Sequence, residues 1–384
     1  MFLFPKQVIL TCKTNTNAIK YTNFDFDYYQ NRKGGGKEML KYSIKRIILA
    51  LITAFIILSL TFFLVKSLGI KDTSFGQKEN VRWAFFYKQY TLGYVVFFEE
   101  EHPEMGKLLA RFTSNGNYYF YEKPLIEQYG AWIKNIVTKW DWGTSIAIKP
   151  NVSAIKIIGE RLPTSLKINV ISVVISVPLG IGLGILAGLK KNTWIDHFIS
   201  TAVMVFISVP SFVVITLLIY FFCFNNQLLP SSWPVPSDPT EKKALAYIIP
   251  VISLSFGSVC GYTRFVRAEL CEVMSSEYLL LARTKGLTKN QAITRHALKN
   301  AFVPILPSIL AEFIGVFGGS MILEKLYGIP GIGDLYIRSI NENDYSVLMV
   351  DMAVFTTVGL LAGIVLDLSY GFIDPRIRMG EKKS

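Results

Sequence analysis

The stretch Glu277–Pro307, EYLLLARTKGLTKNQAITRHALKNAFVPILP, decides how this chain is read. It is a charged interval held between two apolar runs, each long enough to span a bilayer. Arg283, Lys285, Lys289, Arg295 and Lys299 fall inside it, with Arg264 and Arg267 just upstream. That cation bias places it on the cytoplasmic side of a membrane. Leu279, Leu280, Leu281 and Ala282 favour helix, Gly286-Leu287-Thr288 breaks it, and a second helical run extends from Lys289 to Phe302. Gly286 is expected to close the first helix and Thr288 to cap the second. A helix–turn–helix lying across the inner membrane face offers a docking surface to a soluble partner.

Composition agrees with a membrane chain. Of 384 residues, 51% are hydrophobic and only 18% charged, where a soluble domain carries about a quarter charged residues. The net charge of +12 is gathered beside apolar runs rather than along a stripe, which argues against nucleic acid. Cys12, Cys223, Cys260 and Cys271 show no pairing or metal-ligand spacing and read as packing residues.

Working outward, Ile47 to Val65 is the first span, and Lys41, Lys45 and Arg46 put the N-terminus inside. Residues 1–38 are polar and aromatic without clear period, resembling neither signal peptide nor domain. Codons for Gly34-Gly35-Gly36-Lys37-Glu38 can contain a ribosome-binding sequence, so Met39 is an alternative start to a true cytoplasmic tail. A long mixed-charge segment, Lys66 to Arg161, follows outside. Leu166 to Leu189 is the second span, and Phe198 to Phe224 is the third, with a bend at Pro210. Tyr247 to Phe265 is the fourth, Phe302 to Leu323 the fifth and Val347 to Phe372 the sixth. Both ends are then cytoplasmic.

Gly180, Gly184 and Gly188 recur every four residues, on one helix face, where small residues let a neighbouring helix approach. Ala311, Gly315 and Gly319 repeat that spacing in the fifth span. Gly182-x-Gly184-x-x-Ala187 has no preceding strand, so a dinucleotide fingerprint is excluded. Glu312 and Asp351 are ionisable groups in or beside spans, where such groups are costly; either lines the pathway, or Glu312 bonds within the bundle and Asp351 sits at the outer interface. His102, His197 and His296 are too dispersed for a metal site, and no phosphate-binding G-x-x-x-x-G-K-[ST] occurs.

Glu277-Tyr278, Ala282-Arg283-Thr284-Lys285-Gly286-Leu287, Arg295-His296-Ala297-Leu298-Lys299-Asn300-Ala301 and Pro304 resemble the EAA loop of ABC-transporter permeases, in the version found in oligopeptide and dipeptide importers. The general Glu-Ala-Ala and Ile-x-Leu-Pro elements are reduced here to Ala282, Gly286 and Leu298. Asp141-Trp142-Gly143-Thr144-Ser145, Glu160-Arg161-Leu162-Pro163, Pro330-Gly331-Ile332-Gly333, Asp344-Tyr345 and Asp374-Pro375-Arg376-Ile377-Arg378 follow the family's order. The likeness covers Ile133 to Met379 and extends to the first span.

The resemblance implies an all-α polytopic permease of six transmembrane helices in the bacterial cytoplasmic membrane. Its parts would be a tail 1–40, a first transmembrane helix 41–65 and an external segment 66–161. A five-helix core 162–379 would carry the coupling loop 266–301, ahead of a tail 380–384. It implies partners: a second homologous permease, two cytoplasmic ABC ATPases and an extracytoplasmic peptide-binding protein. The ATPases would dock at Glu277, Tyr278, Ala282, Arg283, Lys285, Gly286, Leu287, Arg295 and His296, although positive-inside charge alone also accounts for the cations. The chain itself would hold no cofactor and hydrolyse no ATP. The same architecture could import nickel or a small conjugate, and a membrane scaffold or sensor is the alternative from another class.

Overall fold

A backbone in hydrocarbon must satisfy its own hydrogen bonds, so the apolar runs can only become helices. The computed structural model describes residues 35–69, 78–113, 116–235 and 237–373. Residues 1–34 of the expected tail, Cys12, the motif Asp374 to Arg378 and the tail 380–384 lie outside the described residues. The chain divides into two units, Met1–Lys45 and Arg46–Ser384. Of the first, residues 35–45 are described, as helix.

Helix α1 (Gly35–Lys66) begins earlier than the expected residue 41. The following segment is folded. It contains α2 (Glu79–Thr91), strands β1 (Val95–Phe98), β2 (Leu108–Phe112) and β3 (Tyr118–Glu122), and α3 (Leu125–Lys139). The strands form an antiparallel sheet of order β1-β3-β2, so the expectation of an all-α chain is corrected here. Phe85, Phe86, Val95, Ala110, Phe112 and Phe120 make its core, and Trp83 meets Phe112 and Phe120 edge-on. A second aromatic cluster joins this unit to the spans: Phe62 of α1, Leu92, Tyr94 and Trp132 pack with Met349.

Helix α4 (Ala154–Leu189) has 36 residues, about 54 Å of length. It starts twelve residues before the expected span, and so exceeds the roughly 30 Å hydrocarbon core. The segment expected as the third span is broken. Helix α5 (Trp194–Ile207) and α6 (Ser211–Leu218), which continues as a π-turn over Ile219–Asn225, meet at 98°. Pro210 sits at the break with extended backbone, offering no N–H to continue α5. After α7 (Thr240–Leu245), α8 (Ile248–Met274) runs past the expected end at Phe265.

Helix α9 (Glu277–Thr284) leads to α10 (Lys289–Ala292), a π-turn Ile293–Ala297 and α11 (Leu298–Phe302). The axis bends 50° into α12 (Ile305–Gly315) with its 3-10 turn Val316–Gly318. Gly319, at φ +62°, then stops the helix. Helices α13 (Met321–Tyr327), α14 (Ile332–Asn341) and α15 (Tyr345–Ile373) complete the chain. Segments Ser43–Lys66, Ala154–Leu189, Thr240–Met274 and Tyr345–Ser369 are long and apolar enough to cross a membrane. The two bent pairs raise the number to six if each is one span.

Two glycine rows had been expected at helix contacts, and they fare differently. An ideal Cβ on Gly180 would fall 2.6 Å from Tyr262 Cβ, on Gly184 2.7 Å from Val266 Cβ, and on Gly188 3.0 Å from Leu270. Those are faces of α8, which therefore lies nearly backbone to backbone with α4. Serine and threonine fill the rest of the contact: Ser172 Oγ meets Ser255 Oγ at 2.9 Å, and Thr263 Oγ1 donates to Gly180 O at 3.2 Å. The row Ala311, Gly315, Gly319 is not one helix face: a Cβ on Gly319 would lie 3.0 Å from Ile332 Cγ1 of α14. Gly315 is exposed with nothing within 4 Å of its Cβ position, and Gly319 lies beyond the helix end.

Candidate functional site

Helix α9 ends in a Schellman arrangement. Gly286, at φ +95°, donates to Arg283 O at 3.0 Å, and Leu287 N donates to Ala282 O at 3.4 Å. Thr288 then opens α10 with a reciprocal capping box: Gln291 N donates to Thr288 Oγ1 at 3.3 Å, and Thr288 N to Gln291 Oε1 at 3.1 Å. Glu277 in the first turn of α9 and Arg283 in the last both complement the helix dipole. Local sequence chemistry thus fixes this helix–turn–helix at each joint.

One stripe faces inward. Leu279 joins Leu270 of α8, Ala292, Ala297 and Ala301 in a buried cluster, against which Ile185 of α4, Leu287 and Leu298 pack. The motif is therefore seated on the ends of both α4 and α8. The opposite surface is open. Glu277, Tyr278, Arg283, Lys285, Gly286 and Arg295 are exposed, and Ala282, Leu287 and His296 are half-buried. In the sequence, Leu280 and Leu281 stand out only as helix formers, and they are exposed by 63% and 56%. Only one face of a short helix can enter the cluster, so with Leu279 inside these two must point out. Between the helices, Met274, Ser276, Leu279, Arg283, Lys289 and Ile293 line an open cleft of about 220 Å³. That is below the usual 300–1,000 Å³ of a small-molecule site and closer to the volume of a side chain or two. The wider π-turn over Ile293–Ala297 carries Arg295 and His296 along one edge.

Three of the other quoted motifs, at Asp141–Ser145, Pro330–Gly333 and Asp344-Tyr345, meet buried carboxylates near α14. Asp344, fully buried, accepts at one oxygen from Ser145 Oγ at 2.5 Å and from the backbone N–H groups of Ile146, Ala147 and Ile148 at 3.1–3.2 Å. This ties the Asp141–Ser145 motif to the start of α15. Glu324, buried on α13, accepts from Ser165 Oγ of α4 at 2.8 Å, from Ser320 N at 3.2 Å and from Asp334 N at 3.0 Å. Burial pushes its carboxyl above the ordinary range, while these hydrogen bonds pull it back. The Pro330–Gly333 turn wraps it so closely that a Cβ on Gly331 would overlap Glu324 and Ser165.

The two ionisable residues proposed for spans have different surroundings. Glu312 is half-buried on α12 and lies against the Tyr262 hydroxyl of α8. Asp351 is wholly enclosed, and among the described residues neither carboxylate oxygen has a hydrogen-bond partner.

Residues 180–379 match the family described as binding-protein-dependent transport system inner membrane component. The chain is 32% identical over 342 residues to the dipeptide transport system permease protein DppB of Lactococcus lactis, covering 89% of this chain and 100% of that one. It is 29% identical over 343 residues to the oligopeptide transport system permease protein OppB of Escherichia coli strain K12, covering 88% and 100%. A crystal structure of an amino acid ABC transporter with histidines aligns with 56% of this chain and 92% of its own, at 20% identity and a TM-score of 0.42.

Proposed function

This chain belongs to the family of binding-protein-dependent transport system inner membrane components, and from that membership we propose that it is a permease subunit of an ATP-driven peptide importer. It forms half of a membrane passage for dipeptides or oligopeptides, paired with a second, related permease. Two ATPases dock beneath it on the cytoplasmic side and supply the energy, so this chain hydrolyses no ATP. A binding protein on the outer side delivers the peptide and sets much of the specificity. Both chain ends lie on the ATPase side.

The observation that carries this reading is the helix–turn–helix 277–302, which has one face buried on α4 and α8 and the other open. Its exposed Tyr278, Leu280 and Leu281, ringed by Arg283, Lys285 and Arg295, suit an apolar and acidic partner surface. The side-chain-sized cleft beside Leu279 can accept one anchoring residue of that partner. Closure of the ATPases then displaces α9 as a rigid body, and the shared cluster around Leu270 passes the displacement to α8 and α4. Tipping those helices exchanges inward- and outward-open states.

The test is uptake by proteoliposomes holding this chain with its candidate permease, ATPase and binding-protein partners. ATP-dependent accumulation of labelled dipeptides or oligopeptides is expected. Accumulation of nickel with no peptide uptake would replace the substrate, and assembly without any ATP-driven uptake would return the chain to a scaffold role.

A further inference from the structure

Asp196, in the first turn of α5, is 1% exposed and yet fully satisfied. Arg267 of α8 reaches it with both arms of its guanidinium, Nε to Oδ1 at 2.5 Å and Nη2 to Oδ2 at 2.8 Å. Ser200 Oγ donates to Oδ1 at 3.1 Å and Asn192 N to Oδ2 at 3.0 Å. Each carboxylate oxygen therefore has two donors. A planar two-point pair of this kind fixes orientation as well as distance, which one lysine ammonium or a neutral amide would not.

Its position gives it a role. Arg267 follows Val266, which packs on Gly184 of α4, and precedes by one turn Leu270, which anchors the helix–turn–helix. The last turns of α8 thus hold α4, the docking motif and, through Arg267 alone among their charged side chains, the first turn of α5. Helix α5 in turn leads into the sharp break before α6. We infer that the Asp196–Arg267 pair is a positioning link that carries motion of the docking motif into the bent third span. This rests on the transport reading above, and it assigns to Asp196 a part in coupling that lies outside both the docking surface and any peptide contact.

The test uses the assembled transporter in proteoliposomes and reads peptide transported per ATP hydrolysed. Asp196→Asn keeps the shape but loses the charge. It is expected to leave complex assembly and basal hydrolysis intact while lowering the ratio about tenfold, an ordinary size for coupling between sites. Asp196→Glu, which retains the carboxylate, should recover most of it. An unchanged ratio in Asp196→Asn, or equal loss in both variants, overturns the link. A second measurement keeps the pair native: spin labels at Phe198→Cys and Asn290→Cys, in a background without the native cysteines. Their separation should stay constant between nucleotide-free and ATP-bound states. A change of one helical turn, about 5.4 Å, overturns the link. That distance is read whether or not peptide is taken up, so failure of the transport reading and failure of the link are told apart.

Discussion

Gly286 shows how much a single backbone angle decides. A Cβ there would touch nothing within 4 Å, so a side chain meets no obstacle but the dihedral. An L-residue held at φ +95° costs about 1–2 kcal/mol, and a β-branched one more. Gly286→Val should leave membrane insertion intact and weaken ATPase association or uncouple hydrolysis from uptake, measured by co-purification and transport-coupled ATPase rate. Normal values of both would remove Gly286 from the coupling role. The sequence revealed this glycine because its signal is local: helix formers before it, a capping Thr288 after it. Gly331 and Glu324 were opaque for the opposite reason. Their partner Ser165 lies on a different helix far back in the chain, and no spacing rule connects them. Asp344 and Ser145 were likewise quoted as separate motifs, and only the fold made them one site.

Among the elements, the α4–α8 contact gives the sharpest comparison. Gly182 and Gly184 are two residues apart, yet a Cβ on Gly182 meets open space and one on Gly184 meets Val266. Overfilling a packed contact costs about 1–3 kcal/mol. Gly184→Leu should therefore lower the melting temperature of the purified complex, and Gly182→Leu should leave it nearly unchanged. Equal melting would mean that the glycines are incidental to packing. Spacing alone identified this face, and Pro210 alone identified the break in the third span. The identical spacing at Ala311, Gly315 and Gly319 does not make one face, because periodicity assumes a continuous helix and Gly319 ends it, packing instead on Ile332. The sheet of residues 95–122 was missed because Tyr118 to Tyr121 are all aromatic, so the strand shows no alternation of polar and apolar residues.

For the molecule as a whole, sidedness is the open property to measure. With the native cysteines replaced, Ser237→Cys should react with an impermeant reagent in intact cells, and Thr288→Cys only after permeabilisation. Reaction of Thr288→Cys in intact cells would invert the arrangement. Whatever the sidedness, α4 joins the two functional regions directly. Ser165 touches Glu324 and Gly188 touches Leu270, and the 23 residue steps from one to the other span about 35 Å. That distance is close to the thickness of the hydrocarbon core, and the two contacts stand near opposite ends of one rod. Pro178 removes one backbone N–H from this stretch, but its other turns are closed by their own hydrogen bonds and resist stretching. The rod can therefore tilt or rotate but scarcely lengthen, and a torque applied at Gly188 must reappear at Ser165 as a displacement of comparable size in the opposite sense about any pivot near the bilayer midplane.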